Sequence, residues 1–380
     1  MEITGIICEY NPLHNGHKKQ IDIIRTRQGA DNGIVCLMSG NFVQRGVPAI
    51  FDKSLRAKAA ILCGADLVLE LPVTYALRSA EGFAQGGVSI LSDFCTHLCF
   101  GAENGDINKL TATAEALLSP AFPETLRVFL DEGLSFPAAR QAALKQLGCD
   151  SSLLTSPNNI LAVEYCKAII MQSSSITPLA IVREGDYHDK TPNMENPSAT
   201  AIRKEIVVGN PWQPYVPVDC FNGATIHTLD SGQRAILARL RTMTEEEFST
   251  IPFGSEGLWR KLMHAARKES TIEAILTAVK SKRYTRTRLD RMLICAFLGI
   301  TENDLHAPAP YVRVLALNDK GREILRLARK SGNFPNIGKV QESDYQQLED
   351  RCGDLYGLFA ADAPEPPARE SKQRIYCHKD

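Results

Sequence analysis

Two histidines near the start of the chain, His14 and His17, follow directly after an apolar segment and a proline. The apolar residues from Ile3 to Ile7 are typical of a buried strand, and we expect a helix to begin near Gly16. Glycine lets a backbone approach a polyphosphate closely, and the free N–H groups of a helix N-terminus attract anions. Imidazole N–H groups could stabilise charge that develops on phosphate oxygens. The segment therefore indicates phosphate chemistry, with a metal-binding pair or two surface histidines as the alternatives.

A second candidate cluster opens another predicted helix, with Ser198 suited to the N-cap position. The hydroxyls of Ser198 and Thr200, together with backbone N–H groups, could hold the β- and γ-phosphates of a nucleotide. Arg203 would add positive charge and a planar fork of donors. An ordinary helix cap with an exposed arginine is the alternative for this pattern.

Three further segments supply candidates of lower specificity. Asn158 and Asn159 begin a predicted helix and could contact adenine or ribose. Arg183 ends a predicted strand and precedes the polar run 185–189. The loop from Met38 to Gly46 follows a buried strand, and its glycines and arginine suit an anion-lined wall facing the histidines. Helix capping, a solvated loop and a plain β–α connection are the corresponding alternatives.

Alternating strand and helix signals in the first 110 residues position these candidates. Short strands separated by helices of about 10–15 residues predict βαβ units and a parallel sheet. Ligands of such sheets bind beyond the carboxyl ends of the strands, so residues 11–17, 39–45 and 101–104 should converge on one site. The predicted strands include Gly33 to Met38, Asp66 to Leu71, His97 to Phe100 and Thr177 to Arg183, and the predicted helices include Gly16 to Arg27, Lys53 to Cys63 and Ala80 to Leu91.

Three prolines within residues 211–217 mark a linker-like stretch. We therefore expect a first domain over residues 1–215, which carries the sheet and the candidate site. A mainly helical second domain should follow over residues 220–360, with one strand near residues 311–317. Residues 361–380 are rich in proline and charge, and we expect them to form a flexible tail.

Positive charge is concentrated in residues 260–291, where ten Lys or Arg residues stand against three acidic ones, a net charge of +7. The densest part, residues 280–288, has a tyrosine among the cations, as on surfaces that track phosphates and stack a base. Solvated helical faces usually mix both signs, so the pattern favours RNA contact. The predicted RNA-binding residues are Lys280, Lys282, Arg283, Tyr284, Arg286 and Arg288.

The composition limits the class of protein. The 380 residues carry a net charge of −1, so a nucleic-acid partner must be held by a local patch. No window approaches about eighteen consecutive apolar residues, so we expect no membrane partner. Strand-like sequence from Ile3 leaves no room for a signal peptide, and the eleven scattered cysteines form no C-x-x-C pair. We therefore expect a cytoplasmic protein with reduced thiols; the sequence identifies neither metal ligands nor an oligomeric state.

The motifs H-x-G-H (His14–His17) and S-x-T-x-I-R (Ser198–Arg203) occur in the order used by a superfamily of nucleotidyltransferases. Within that superfamily, the chain resembles the tRNA(Met) cytidine acetate ligase family much more closely. The segments that carry this resemblance span nearly the entire chain. They are GIICEYNPLHNGH, MSGNFVQRGVPAIFDK, GADLVLELP, FGAEN, PNNILAVEY, KRYTRTRLDRML and YVRVLALNDKGREIL.

The resemblance implies a Rossmann-like, parallel-sheet α/β nucleotidyltransferase domain followed by a mainly helical domain that helps hold tRNA. It implies that acetate and ATP form acetyl-adenylate. The catalytic residues would be His14, His17 and Arg203, with Mg²⁺ bridging phosphates. The acetyl group would then pass to N4 of the wobble cytidine of elongator tRNA(Met), giving N4-acetylcytidine. Together with Ser198 and Thr200, the implied ATP contacts are Ile7, Cys8, Glu9, Tyr10, Asn11, Pro12, Leu13, His14, Asn15, Gly16, His17, Lys18, Lys19, Gln20, Gly101, Asn158, Asn159 and Arg183.

Two other classes of protein share part of this pattern. A small-molecule adenylyl- or cytidylyltransferase of cofactor biosynthesis would use both motifs, but it would not require a large additional domain with a basic patch. An RNA-binding protein with a degenerate nucleotide fold would not require the histidines or the set of Ser198, Thr200 and Arg203 to be intact. The acetate ligase is therefore the predicted function.

Overall fold

The computed structural model of the chain describes residues 1–183, 194, 197–331 and 343–379. A mostly parallel sheet with helices on both faces forms an α/β part, and a group of helices builds a second core. The predicted α/β class, with a mainly helical portion after the sheet, is therefore confirmed. The strands are β1 (Ile3–Cys8), β2 (Gly33–Ser39), β3 (Phe42–Val43), β4 (Val47–Pro48), β5 (Leu67–Leu71), β6 (His97–Ala102), β7 (Thr177–Val182), β8 (Val314–Leu317) and β9 (Tyr376–Cys377).

Polar side chains start several helices. Asp52, Ser79, Asp106 and Ser198 each accept a hydrogen bond from a backbone N–H of the first turn, and Gly209 ends the helix that Ser198 begins. The helices are α1 (Asn15–Gln28), α2 (Lys53–Leu62), α3 (Val73–Ala76), α4 (Ala80–Leu91), α5 (Ile107–Leu118), α6 (Ala121–Asp131), α7 (Phe136–Gln146), α8 (Pro157–Met171), α9 (Ala199–Val208), α10 (Gln233–Thr242), α11 (Glu245–Ser249), α12 (Leu258–Lys268), α13 (Ile272–Val279), α14 (Arg286–Leu298), α15 (Glu302–His306), α16 (Asp319–Ser331), α17 (Asp344–Tyr356) and α18 (Arg369–Lys372).

The main sheet has the strand order β7-β6-β1-β2-β5-β8-β9, in which β7, β6, β1, β2 and β5 are parallel. The chain moves outward from β1 through β2 to β5 and then returns to the other side of β1 with β6. Strand β1 therefore marks the switch in strand order, where parallel sheets leave a crevice at the carboxyl ends of their strands. The segments that follow β1, β6 and β7 meet at this crevice.

Both faces of the central strands are buried, which explains their continuous apolar sequence. Along β2, Val35 and Leu37 belong to one hydrophobic cluster, whereas Ile34, Cys36 and Met38 belong to the cluster on the opposite face. This alternation follows from the two-residue period of a strand. All five side chains are fully buried, so packing on both sides holds the strand ends in place.

The second core joins α10 to α15 with α17. It also includes Phe42 of β3, although β3 lies within the first domain of the sequence. The Phe42 ring packs edge-to-face on Tyr356, with 5.9 Å between centroids, and on Phe359, with 5.7 Å. The sheet part and the helical part therefore pack directly on one another through this aromatic contact.

The C-terminal third of the chain departs from the predicted division into domains. Strand β8 pairs antiparallel with β5, and β9 pairs with β8, so both extend the sheet of the first part. All residues of β8 are buried, and pairing with the edge of β5 satisfies their backbone N–H and C=O groups. A boundary near residues 215–220 stays a prediction, but the chain returns to the sheet beyond it.

The expected flexible tail contains regular structure in its described residues, 361–379, which include α18 and β9. The Glu370 carboxylate is buried, 2.7 Å from Lys53 Nζ and 2.9 Å from Arg313 Nη1. Lys53 Nζ also lies 2.7 Å from Glu70. We call these four side chains the buried ion cluster. A buried charge requires an opposite charge beside it, so the cluster fixes this segment against the sheet, which composition alone does not reveal.

Candidate active site

A cavity of about 340 Å³ opens at the carboxyl ends of β1, β6 and β7, at the switch in strand order. The starts of α1, α8 and α9 lie along its wall, together with the hairpin of β3 and β4. Helix N-termini present unpaired N–H groups, so this wall favours an anionic ligand. The sequence-predicted residues that line the cavity are Ile7, Cys8, Glu9, Tyr10, Asn11, His14, Gly16, His17, Lys19, Gln20, Gly101, Asn158, Arg183, Ser198, Thr200 and Arg203.

The two histidines form a stacked pair at the start of α1. Their ring centroids lie 3.7 Å apart, with an angle of 24° between the planes. The Nδ1 atom of His17 accepts a hydrogen bond from the backbone N–H of His14 at 3.3 Å, which leaves Nε2 of His17 as the N–H donor. His14 is only 2% exposed, and its Nδ1 has no hydrogen-bond partner among the described residues. Both histidines line the cavity.

Both histidines are neutral at pH 7. Burial lowers the pKa of His14 to about 3, and the positive charges of Arg183 and Arg203 act in the same direction. Burial also lowers the pKa of His17 well below its usual value, with further contributions from His14 and Arg183. A neutral imidazole donates one N–H without carrying a formal charge. The formal positive charge on the described wall therefore comes from lysine and arginine side chains rather than from the histidines.

The second predicted cluster meets the first one across the turn after β1. Arg203 Nη1 donates to the backbone carbonyl of Asn11 at 2.6 Å, and Nη2 donates to the Thr200 hydroxyl at 3.1 Å. The Ser198 hydroxyl accepts from the backbone N–H of Ala201, so it caps α9. The hydrogen bond between Arg203 and Asn11 ties the start of α9 to the loop that carries the histidines.

A third group links the ends of β6 and β7 to the start of α8. The carboxylate of Glu103 accepts hydrogen bonds from Asn158 Nδ2 at 2.7 Å and from the backbone N–H of Asn159 at 2.8 Å. Asn158 Oδ1 in turn accepts from Arg183 Nη1 at 3.3 Å. A Cβ atom on Gly101 would lie 3.0 Å from Arg183 Cγ, so glycine leaves room for the arginine stem. Glu103 was not among the predicted site residues, although it directly follows β6 and is part of the segment FGAEN.

The charge on the described wall is strongly unequal. Four cationic side chains line the cavity, namely Lys19, Arg45, Arg183 and Arg203, whereas Glu9 is the carboxylate among the described lining residues. Field lines from several cations focus in a cleft with low-dielectric walls. The cavity is therefore complementary to a ligand with several negative charges, such as a triphosphate.

Five predicted residues lie off the cavity wall. Leu13 is fully buried in the core, Pro12 follows a cis peptide bond in the turn after β1, and Lys18 forms an ion pair along α1. Asn15 donates to two distant backbone carbonyls, and Asn159 Oδ1 accepts from a backbone N–H after β6. The predicted ATP contacts included every residue from Ile7 to Gln20. Side chains at the start of a helix point in all directions, so only some of them can face a ligand.

Some lining residues were missed. Gln44 and Arg45 of the β3–β4 hairpin line the cavity, and the sequence had identified only their loop as a candidate wall. Phe83, Phe100 and Tyr165 supply an apolar section, with 5.4 Å between the centroids of the last two rings. These aromatic residues lie within a strand and helices, where their periodicity marks them only as core residues.

The basic segment has much of its charge paired. Arg286 lies 2.7 Å from Glu273 and 2.8 Å from Asp290. The ring of Tyr284 is buried in the helical core, and its hydroxyl donates to Glu256 at 2.8 Å. The structure thus places Tyr284 as a core residue rather than as an exposed ring for base stacking.

The remaining predicted RNA contacts differ in exposure. Lys280, Lys282 and Arg283 are exposed in the connection between α13 and α14. Arg288 donates to the backbone carbonyl of Phe253, and its guanidinium lies 4.9 Å from the ring centroid of Tyr284. The polar run 185–189 lies outside the described residues. Over the part of the chain that the structure describes, no helix is long and apolar enough to cross a membrane.

Comparisons with known proteins agree with this fold. The family model described as HIGH Nucleotidyl Transferase matches residues 1–371, which defines the class as a nucleotidyltransferase. The tRNA(Met) cytidine acetate ligase of Clostridium perfringens is 38% identical over 376 residues, 92% of each chain. The enzyme of the same name from Acetivibrio thermocellus is 37% identical over 372 residues, 90% of this chain and 89% of its own. The chain therefore belongs to the tRNA(Met) cytidine acetate ligase family, as the sequence predicted.

Solved structures extend the comparison to the whole fold. Apo Thermotoga maritima TmcAL matches with a TM-score of 0.90 at 29% identity and full coverage of both chains. A second crystal form, bound with alpha-thio ATP, matches with a TM-score of 0.86 at 28% identity, again over both whole chains. The nucleotidyltransferase fold of the present chain is thus shared with a protein that binds an ATP analogue.

Proposed function

We propose that this enzyme activates acetate with ATP and transfers the acetyl group to N4 of the wobble cytidine of elongator tRNA(Met). Membership of the acetate ligase family supports this activity. The observation that carries the proposal is the cavity at the end of β1, whose wall brings two neutral histidines together with Arg183, Arg203 and the starts of three helices. That arrangement suits a triphosphate.

In the first step, a carboxylate oxygen of acetate attacks the α-phosphorus of ATP. The bond from that phosphorus to the bridging oxygen breaks, and pyrophosphate leaves with the bonding electrons. The N–H donors of His14 and His17 would bind the α-phosphate oxygens as their charge grows. Arg203, Ser198 and the start of α9 would hold the β- and γ-phosphates. The site would thus act by positioning and charge stabilisation, without a covalent enzyme intermediate.

Mg²⁺ enters this proposal with ATP, as part of the substrate. The described residues include no group of three or more His, Cys, Asp or Glu side chains arranged to hold a metal ion. Mg²⁺ commonly keeps several waters and is bound through phosphates with one or two carboxylates. Glu9, which lines the cavity, would supply such a carboxylate.

In the second step, the N4 amine of cytidine attacks the acetyl carbonyl, AMP leaves, and N4 loses one proton. A base inside a stacked anticodon loop cannot reach the cavity, so it must be splayed out. The exposed cations before α14 would hold the phosphates of that loop. Arg286 and Arg288 would reach phosphates by exchanging their present protein partners.

Joint replacement of Arg283, Arg286 and Arg288 by alanine should weaken tRNA binding and flatten its dependence on salt. Each phosphate contact contributes about one unit to the slope of log K against log salt, so the slope should fall by up to about three. Filter binding at several salt concentrations measures this. Arg326, Arg329 and Lys330 of α16 are also exposed, and the same replacement there serves as the matched control. An unchanged slope in the first variant would show that this patch does not hold tRNA.

The proposed activity is tested by release of AMP and pyrophosphate from ATP, with and without acetate and tRNA(Met). Acetate-dependent pyrophosphate release and acetyl label on the tRNA are expected. Release that depends on nicotinamide mononucleotide or phosphopantetheine would instead identify a cofactor-forming transferase. No turnover with any of these substrates would favour an RNA-binding protein with an inactive nucleotide fold.

A further inference from the structure

The β3–β4 hairpin belongs to both parts of the molecule. At one end, Phe42 is fully buried in the helical core against Tyr356 and Phe359. Immediately after it, Val43 and Gln44 line the cavity. The hairpin therefore connects the helical part to the wall of the candidate active site within a few residues.

The hairpin is also fixed to α14, whose first residues belong to the basic segment. Gly46 has a positive φ of 75°, and a Cβ atom there would lie 2.4 Å from the backbone nitrogen of Arg291. Only glycine permits this close approach of two backbones. Arg291 Nη1 lies 3.4 Å from the backbone oxygen of Gln44. A strand of RNA held along the start of α14 would thus be next to the hairpin.

The backbone N–H of Gln44 has a hydrogen-bond partner, whereas its side-chain amide nitrogen has none among the described residues. Its backbone N–H donates to Glu9 Oε1 at 2.9 Å. Its side-chain Nε2 is buried and has no hydrogen-bond partner within the described residues. A buried amide nitrogen without a partner costs free energy, and because the Gln44 side chain lines the cavity, a rotation of its amide toward a ligand there would recover this cost.

We infer that Gln44 binds the target cytosine during acetyl transfer, an assignment that rests on the proposed function. A carboxamide has donors and an acceptor side by side, as does the Watson–Crick edge of cytosine, with acceptors N3 and O2 and the N4 amine. Gln44 Nε2 donates to a ring acceptor, and Oε1 accepts one hydrogen of N4. This pair of hydrogen bonds holds N4 in the cavity, where the acetyl carbonyl of the adenylate is bound.

The test separates the two half-reactions in the full-length enzyme. Acetate-dependent exchange of pyrophosphate into ATP, without tRNA, measures adenylate formation. Transfer of labelled acetyl to tRNA(Met) in a single turnover measures the second step. In Q44A and Q44M, the transfer rate should fall at least about tenfold more than the exchange rate, because the variants lack the amide that forms these hydrogen bonds. Q44M keeps the length of the side chain and adds no charge to the cavity, so it guards against loss of folding in Q44A.

Gln20 supplies a matched control. It also lines the cavity, but its Nε2 donates to Cys99 Sγ at 3.7 Å. Q20A should change exchange and transfer in the same proportion. The assignment to cytosine would be overturned if the Gln44 variants lost exchange and transfer equally or if their transfer rate were unchanged. A raised KM for acetate in the exchange assay would also overturn it. Absence of acetate-dependent exchange in the unmodified enzyme would instead contradict the proposed function itself.

Discussion

Two groups of charged side chains in the molecule differ in burial and in pairing. In the buried ion cluster, each charged group has an opposite charge beside it, as Lys53 Nζ lies 2.7 Å from both Glu70 and Glu370. In the cavity, Arg203 donates to a carbonyl and a hydroxyl, and four cations share the described wall with one carboxylate. Opposite charges buried side by side fix structure, whereas cationic side chains along the wall of a cleft are complementary to an anionic ligand.

The cost of burial explains why the two groups differ. Desolvation of a charge is expensive, so the buried charges of the cluster need opposite charges beside them, whereas Lys19, Arg45 and Arg183 on the cavity wall are exposed. The cluster joins α2, β5, α18 and the start of β8, which are far apart in sequence. The cavity instead leaves His14 Nδ1 without a partner among the described residues, a cost that a bound nucleotide would offset.

The largest effect should be a loss of stability when one cation of the buried ion cluster is removed. Replacement of Lys53 by methionine leaves Glu70 and Glu370 buried with Arg313 as the remaining cation of the cluster. The free energy of unfolding should therefore fall by about 3–5 kcal/mol. Urea denaturation measures the change. K18M, which removes an exposed ion pair on α1, should cost less than about 1 kcal/mol. Equal losses in the two variants would refute the distinction between paired buried charge and surface charge.

The complementary change in the cavity should affect chemistry rather than stability. Replacement of His17 by alanine removes a neutral N–H donor, so acetate-dependent exchange of pyrophosphate should fall about 10²–10³-fold. Binding of tRNA should remain nearly intact, because the basic segment lies on other elements. Exchange assays and filter binding give the two values. A parallel loss of exchange and tRNA binding would contradict the assigned role.

A smaller effect should appear as a dependence of stability on pH. The folded-state pKa of His14 is lowered to about 3, whereas an unfolded histidine has a pKa of about 6.5. The unfolded chain therefore binds more protons between these values, and stability falls as the pH drops through 6.5. From pH 7 to pH 5, His14 alone should cost about 2 kcal/mol. Urea denaturation at both pH values should show that the free energy of unfolding of H14Q depends less on pH than that of the unmodified protein. The same pH dependence in both proteins would mean that His14 does not titrate as assigned.

The smallest effect should come from changing Glu103, which contacts Arg183 indirectly through the side chain of Asn158. Replacement of Glu103 by glutamine weakens the hydrogen bonds to Asn158 and to the start of α8. Arg183 should then be less well oriented, and the KM for ATP should rise about tenfold with little change in kcat. Steady-state assays with varied ATP measure this. E115Q, at an exposed position of α5, is the control. A fall in kcat at constant KM would show that Glu103 does not act through nucleotide binding.

Hydrophobic periodicity and capping residues predicted the strands and helices whose formation depends on neighbouring residues in the sequence. The strands β1, β2, β5, β6 and β7 and the helix after Ser198 follow from periodicity and capping residues, and their ends converge because the sheet is parallel. The return of β8 and β9 to the sheet depends on pairing between distant segments, and no local signal carries it.

The same limit applies to single residues of the site. Motif spacing predicted His14, His17 and Arg203, and the structure places all three on the cavity wall. Leu13 and Tyr284 were misplaced because a sequence window does not state which side chains face the core. Glu103 and Gln44 act through hydrogen bonds to partners distant in sequence, and these partners are visible only in three dimensions.

A crystal structure with a nonhydrolysable ATP analogue tests the central claim most directly. We expect the triphosphate in the cavity at the end of β1, with the α-phosphate near His14 and His17 and the terminal phosphates near Ser198 and Arg203. Phosphates bound outside that cavity, for example in the opening of about 270 Å³ beside Lys53 and Arg369, would contradict the account.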